Sequence, residues 1–132
     1  MALTDEVREF LNERRFAVLA TLNPNGTIQQ SVMWYVLDGD NIVMNTAKGR
    51  IKFRNIEQAK AISICVEDGL RSVTIAGELS LNDDPETGLA DIQRIGRRYD
   101  TEAEIQEAYQ TWKGQHRVTM SLPVGRVVTH GF

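Results

Sequence analysis

The sequence predicts a mainly β protein with flanking helices, arranged as a six-stranded antiparallel barrel. Three observations carry that reading. Short runs rich in β-branched and aromatic residues recur along the chain, tight-turn signals join them, and helical periodicity is confined to the N-terminal segment and one late stretch. A doubly wound parallel sheet needs a helix between nearly every pair of strands, and the pattern supplies none.

Taken in order, Thr4 is placed to cap a first helix. Asp5 and Glu6 fall in its electropositive first turn, and Val7, Phe10 and Leu11 form an apolar stripe. Phe16–Leu22 is rich in strand formers, Asn23-Pro24-Asn25-Gly26 is a hairpin signal, and Ile28–Leu37 reads as the returning strand. On that strand Trp34 and Tyr35 alternate faces, so one turns inward, and a buried tryptophan is the expected core filler. Asp38-Gly39-Asp40 turns the chain into a third strand over Asn41–Thr46. Ala61–Val66 is a fourth, Glu67-Asp68-Gly69 a turn, and Ser72–Leu81 a fifth, its alternation interrupted by a bulge near Gly77. Asn82–Pro85 offers caps for two amphipathic helices, at about residues 86–98 and 102–112. Arg117–Thr129 closes as the last strand, with Pro123 implying an edge or a bend.

Residues 1–132 are expected to form a single domain, without repeats or linkers. A hydrophobic content of 42% and a charged content of 25% are ordinary for a soluble globular chain. The net charge of −3 argues against general nucleic-acid binding. One cysteine, Cys65, excludes an internal disulfide and fits a reducing cytoplasm. It sits in an apolar strand-like run, where a buried inert thiol is expected. The opening Met1–Glu6 has neither a basic n-region nor an apolar h-region, and no run reaches a membrane span, so a cytoplasmic protein off the membrane is expected.

Against this mildly acidic background, Asn45–Ile56 stands apart. Lys48, Arg50, Lys52 and Arg54 fall within seven residues that contain no acid. The chain holds 15 Lys and Arg against 18 Asp and Glu, so removing these four leaves 11 against 18. Basic side chains and a glycine at the end of a strand can aim both cations and backbone N–H groups at an anion, phosphate above all. A solvated basic loop is the plainer reading of the same residues.

Side-chain chemistry is otherwise sparse. His116 and His130 have no carboxylate or thiol at a metal-ligand spacing, so no metal site is expected. Asp83 and Asp84 stand where they cap a helix, and no nucleophile elbow or nucleotide-binding glycine motif is present. A small barrel with a phosphate-like site and no nucleophile suits reactivity borrowed from a cofactor.

The segments FAVLATLNPNGTIQQSVMWY (16–35), IVMNTAKGRIKFRN (42–55), AISICVEDG (61–69), SVTIAGELSL (72–81) and RVTMSLPVGRVVTHGF (117–132) occur in an order that resembles a known family. It is that of the pyridoxamine 5'-phosphate oxidase-like split barrels that bind FMN, and most closely the branch using the deazaflavin coenzyme F420. The resemblance spans nearly the whole chain. It implies a homodimer with two cofactor sites between subunits, and hydride transfer from reduced coenzyme F420 to a small conjugated acceptor such as an enone, quinone or tetrapyrrole. An FMN-dependent relative and a non-catalytic cofactor carrier are the alternatives. Residue by residue, Gln30, Ser31, Val32 and Met33 would line the ring system, and Asn45 and Thr46 would stand near the ribityl chain and phosphate. Arg50 and Lys52 would hold the phosphate. Lys48 would meet the polyglutamate tail at the rim, and Ser72 and Thr74 would reach the ring from the partner subunit. A short helix after the third strand, around Arg54-Asn55, belongs to the same pattern.

Overall fold

A computed structural model describes residues 3–132; Met1 and Ala2, part of the segment read as leaderless, lie outside the described residues. Among the described residues four helices, α1 (Asp5–Asn12), α2 (Ile51–Gln58), α3 (Pro85–Gly96) and α4 (Glu102–Trp112), flank nine strand segments. The strands are β1 (Ala17–Leu22), β2 (Ile28–Met33), β3 (Val36–Asp38), β4 (Asn41–Ala47), β5 (Ala61–Glu67), β6 (Ser72–Glu78), β7 (Ser80–Asn82), β8 (Arg117–Pro123) and β9 (Arg126–His130). They form two antiparallel sheets, ordered β2-β1-β5-β6-β9 and β3-β4-β8-β7.

The six expected strands and the nine observed segments are reconciled at three breaks, where the chain passes from one sheet to the other. The returning strand breaks at Trp34-Tyr35 because tertiary partners take its backbone groups. The Tyr35 N–H donates to the Tyr99 hydroxyl at 3.2 Å, and Arg98 Nη1 donates to the Tyr35 carbonyl at 2.6 Å. The expected bulge near Gly77 is corrected to a break two residues later. Leu79 is buried there, and its N–H donates to the Lys60 carbonyl at 2.9 Å. The last strand breaks after Pro123, where Val124 N–H donates to the Asp40 carbonyl at 2.8 Å.

Local signals explain most element ends. Thr4 accepts from the Val7 N–H at 3.2 Å, and Val7, Phe10 and Leu11 are buried as the stripe required. Gly26 turns the first hairpin at φ 86°, with Asn23 N–H donating to the Thr27 carbonyl at 2.8 Å. Asp84 caps α3 through Thr87 N–H at 3.0 Å, and Thr101 with Glu104 builds a reciprocal capping box on α4.

The core lies between the sheets and includes Phe10, Leu11, Leu19, Met44, Ile56, Ile64, Ile75 and Met120. Each such side chain contributes roughly 1.5–3 kcal/mol on burial. Tyr35 is fully buried in this core, with its hydroxyl donating to the Leu11 carbonyl at 2.8 Å. That corrects the choice of Trp34 as core filler: Trp34 is only partly buried and stacks on Tyr99 at 5.2 Å.

Helix α3 covers the second face of β4, where Val43 meets Ile95 and Tyr99. The approach is very close. A Cβ on Gly88 would lie 2.1 Å from the Arg117 carbonyl oxygen, so α3 can seat on β8 only with glycine at that position. Among the described residues no helix is long and apolar enough to cross a membrane.

Candidate cofactor site

A cavity of about 330 Å³ opens where β4 ends. Its polar side is built by three elements. Strand β4 delivers Asn45 and Thr46, both buried, and then turns through Gly49 at φ 94°. Arg50 stands at the N-cap position of α2, exposed, and lines the edge of the cavity. Lys52 follows in the first turn of α2, which contains no acid. Strand β8 begins at Arg117, in register with Ala47 of β4.

The electrostatics follow from burial. Lys52 Nζ lies 3.1 Å from the Met33 thioether, a weak acceptor. Burial, then the nearby Arg50 and Arg117, push its pKa down. Arg117 is 6% exposed, and burial followed by Arg50 lowers its pKa to about 10, so it stays charged at neutral pH. Its Nε donates to Asn45 Oδ1 at 2.9 Å, and Asn45 Nδ2 donates in turn to the Gly88 carbonyl at 2.9 Å. The Thr46 hydroxyl is buried and has no hydrogen-bond partner among the described residues. Three cations and an unsatisfied hydroxyl thus share a cavity whose lining residues include no carboxylate.

The opposite side is apolar. Val32, Met33 and Trp34 approach from β2 and the break after it, while Ile92, Ile95 and Trp112 close from α3 and α4. Gly96 lets α3 pack close here: a Cβ there would lie 2.6 Å from Ile105 Cδ1, and 3.3 and 3.4 Å from Trp34 and Trp112. Anion-binding groups at one end and flat aromatic walls at the other fit a phosphorylated ring cofactor. Among the described residues no group of three or more His, Cys, Asp or Glu could hold a metal ion.

Of the residues singled out in the sequence, Val32, Met33, Asn45, Thr46, Arg50 and Lys52 line this cavity. Gln30, Ser31, Lys48, Ser72 and Thr74 do not. Gln30 lies on the exposed face of β2, and the Ser31 hydroxyl is buried with no hydrogen-bond partner among the described residues. Lys48 is drawn to Asp83, Nζ to Oδ2 3.5 Å, on the surface. Ser72 and Thr74 lie on β6, with Thr74 in register with Cys65 and Val128.

Sequence reasoning missed Arg117, Trp34 as a cavity wall, and the helical wall of Ile92, Ile95 and Trp112. Arg117 carried one usable signal: it opens a stretch, residues 117–125, with no other charged residue. A charge heading such a buried strand needs a reason to be there.

The sheets and the cavity define a mainly β, antiparallel protein with a cation-lined cavity at a strand end. The family model described as pyridoxamine 5'-phosphate oxidase matches residues 3–121, and the chain belongs to this family of flavin- and deazaflavin-binding oxidoreductases. Among solved structures it is similar to a conserved hypothetical protein from Mycobacterium tuberculosis, with 23% identity, TM-score 0.79, and coverage of 98% of this chain and 86% of that one. It is similar also to a protein described as an F420 reductase, with 29% identity, TM-score 0.75, and coverage of 91% and 94%. A FAD-binding protein from Mesorhizobium loti shares the fold at 15% identity, TM-score 0.67, and coverage of 96% and 92%. No curated protein matches the chain.

Proposed function

We propose that this protein is a coenzyme F420-dependent oxidoreductase that reduces a conjugated acceptor, of the enone, quinone or tetrapyrrole type, as a cytoplasmic homodimer. The observation that carries the reading is the cavity with three cations and no carboxylate, set against two tryptophans. The likeness to an F420 reductase, 29% identical over 91% of this chain, favours the deazaflavin within the family.

In this reading Arg50 forks onto the phosphate and Lys52 meets it as a point charge. The buried Thr46 hydroxyl gains the partner it lacks, and Val32, Met33 and Trp34 hold the ring against the end of β2. Bound and reduced, the deazaflavin supplies hydride chemistry. The chain's own contribution is positioning and exclusion of water, since no carboxyl, imidazole or thiol lines the cavity. Asn45 and Gly88 fix the Arg117 side of the site through α3.

The proposed dimer uses the outward face of the five-stranded sheet. Val32, Val18, Cys65, Thr74 and Val128 stand in one cross-strand row there, and Val32 and Val128 are 66% and 57% exposed. A partner seated on this row would bring its Ser72 and Thr74 near the ring site beside Val32. The lone cysteine suits a reducing compartment. FMN binding is a second reading, since its phosphomonoester, with up to two charges, would meet the same cations.

Anaerobic single-cuvette turnover tests the proposal. Reduced deazaflavin with catalytic protein and a simple enone is expected to reoxidise over many turnovers. Stoichiometric binding without turnover on enones, quinones and tetrapyrroles would make the protein a carrier. Purification with tightly held FMN that deazaflavin cannot displace would overturn the cofactor assignment.

A further inference from the structure

We infer that Arg117 is an anion-binding residue of this cavity and takes a second negative charge of the ligand, beyond the one that Arg50 and Lys52 hold. The inference rests on the cavity being the phosphate end of a flavin- or deazaflavin-type site.

Removing an ion from water costs several kcal/mol unless a counter-charge offsets it. Arg117 is 6% exposed, and it takes part in no ion pair among the described residues. Its satisfied donors are met by neutral oxygens, Nε by Asn45 Oδ1 at 2.9 Å and Nη1 by Gln115 Oε1 at 2.8 Å. Nη2 makes no hydrogen bond among the described residues, and the side chain lines the cavity. The guanidinium is therefore oriented by groups that do not neutralise it. The chain Gly88–Asn45–Arg117 ties that orientation to α3.

Charge counting then specifies the ligand. Arg50, Lys52 and Arg117 face one cavity with no carboxylate among its lining residues. A single negative charge would leave the buried Arg117 still repelled by the half-buried Lys52 and the exposed Arg50. Two or more negative charges at the same end remove that repulsion. The shared chemistry has two sources: the second ionisation of a phosphomonoester, with a pKa of about 6, or a phosphodiester with a carboxylate beside it.

Both tryptophans of the chain, Trp34 and Trp112, line the cavity, so intrinsic fluorescence reports its occupancy without reference to activity. The probes are inorganic pyrophosphate, FMN, riboflavin, long-tailed deazaflavin and the deazaflavin core without phosphate or tail. Arg117→Gln is expected to weaken pyrophosphate, and at least one charged cofactor, by about ten-fold or more at pH 7.5, the loss of one charge-assisted hydrogen bond. Riboflavin and the uncharged core should change by less than about two-fold, since neither meets the guanidinium. If the phosphomonoester is the source, wild-type affinity for FMN rises from pH 5 to 7.5 and the Arg117→Gln profile is flatter. If the carboxylate is the source, the loss appears with long-tailed deazaflavin and not with FMN. A merely structural Arg117 would lower thermal stability and weaken riboflavin and the uncharged core as much as the charged ligands, with the pH profile of FMN binding unchanged.

Asn45→Asp supplies a second route should Arg117→Gln fold poorly. It is nearly isosteric and gives Arg117 a carboxylate in place, though it gives up the Nδ2 donor to the Gly88 carbonyl, and it should weaken pyrophosphate about ten-fold by neutralising the guanidinium. Dissociation constants for pyrophosphate, FMN and deazaflavin that are the same in both variants as in wild type overturn the assignment. Arg117-dependent pyrophosphate binding with no binding of any flavin or deazaflavin would overturn the cofactor reading while upholding Arg117 as the anion-binding residue.

Discussion

Replacing Lys52 by methionine separates two effects of one charge. In the ligand-free protein, Lys52 is a half-buried ammonium set against the Met33 thioether at 3.1 Å, and burial is the main cause of its lowered pKa. Methionine keeps much of its length and removes the charge. Thermal stability should therefore stay level or rise, by about 0–1 kcal/mol, because a poorly compensated cation is lost. The pH dependence fixes the sign. The folded pKa lies below the ordinary 10.5, so between the two the unfolded chain binds more protons. Stability of the wild type rises with pH through that window, and Lys52→Met should lack this rise. Ligand binding should move the other way. A charge-assisted hydrogen bond to phosphate is worth about 1.5–3 kcal/mol, or roughly 12- to 160-fold in Kd. Tryptophan-quenching titrations with deazaflavin and FMN, beside thermal melts of the ligand-free proteins, measure both effects. A Kd within two-fold of wild type, or a clear loss of ligand-free stability, refutes the reasoning.

Other outcomes follow from the same geometry. Gly88→Ala should drive α3 off β8, since the added Cβ meets the Arg117 carbonyl at 2.1 Å. A cost of about 1–3 kcal/mol should appear in denaturant melts together with weaker cofactor binding, and a wild-type melt would contradict the packing described. Tyr35→Phe removes a donor to the Leu11 carbonyl, which Arg98 Nη2 also serves at 2.8 Å. The loss should therefore stay near the low end, about 1 kcal/mol, and a loss several times larger would show that Arg98 does not compensate. Lys48→Glu breaks an exposed pair with Asp83 and should change ligand-free stability by less than about 1 kcal/mol. Affinity for long-tailed deazaflavin should fall modestly while the tail-less core is unaffected, and equal responses would show that Lys48 does not read the tail. Sedimentation across a dilution series should give a dimer that cofactor stabilises; a tight-binding monomer would contradict the proposed assembly.

Much of the fold was legible because its determinants are local. The Thr4 cap, the Gly26 hairpin and the two late helices each depend on residues within a few positions of one another. Pro123 marked the break in the last strand, but the break at Trp34-Tyr35 was not legible, for the opposite reason. Nothing near Tyr35 announces that its N–H will be taken by a hydroxyl 64 residues away, or its carbonyl by Arg98, 63 residues on. The same division runs through the site. Arg50 and Lys52 stand out because their charge clusters in sequence. Arg117 does not, because Asn45, the residue that gives it meaning, lies 72 positions earlier and only the β4–β8 register joins them. The apolar wall escaped notice because Ile92, Ile95 and Trp112 look like ordinary stripes of amphipathic helices. Val32, by contrast, is both a strand position of the outward sheet face and a cavity-lining one, which pattern alone cannot separate.

The central claim is that the cation-lined cavity at the end of β4 selects a deazaflavin by its charged end. Competitive titration of ligand-free protein with long-tailed coenzyme F420 and with FMN, followed by quenching of Trp34 and Trp112, measures that selection in one experiment. Tighter binding of coenzyme F420, lost in Lys52→Met and reduced by added salt, is the expected result. Tighter binding of FMN, or equal affinity for both that is insensitive to Lys52→Met, would contradict it.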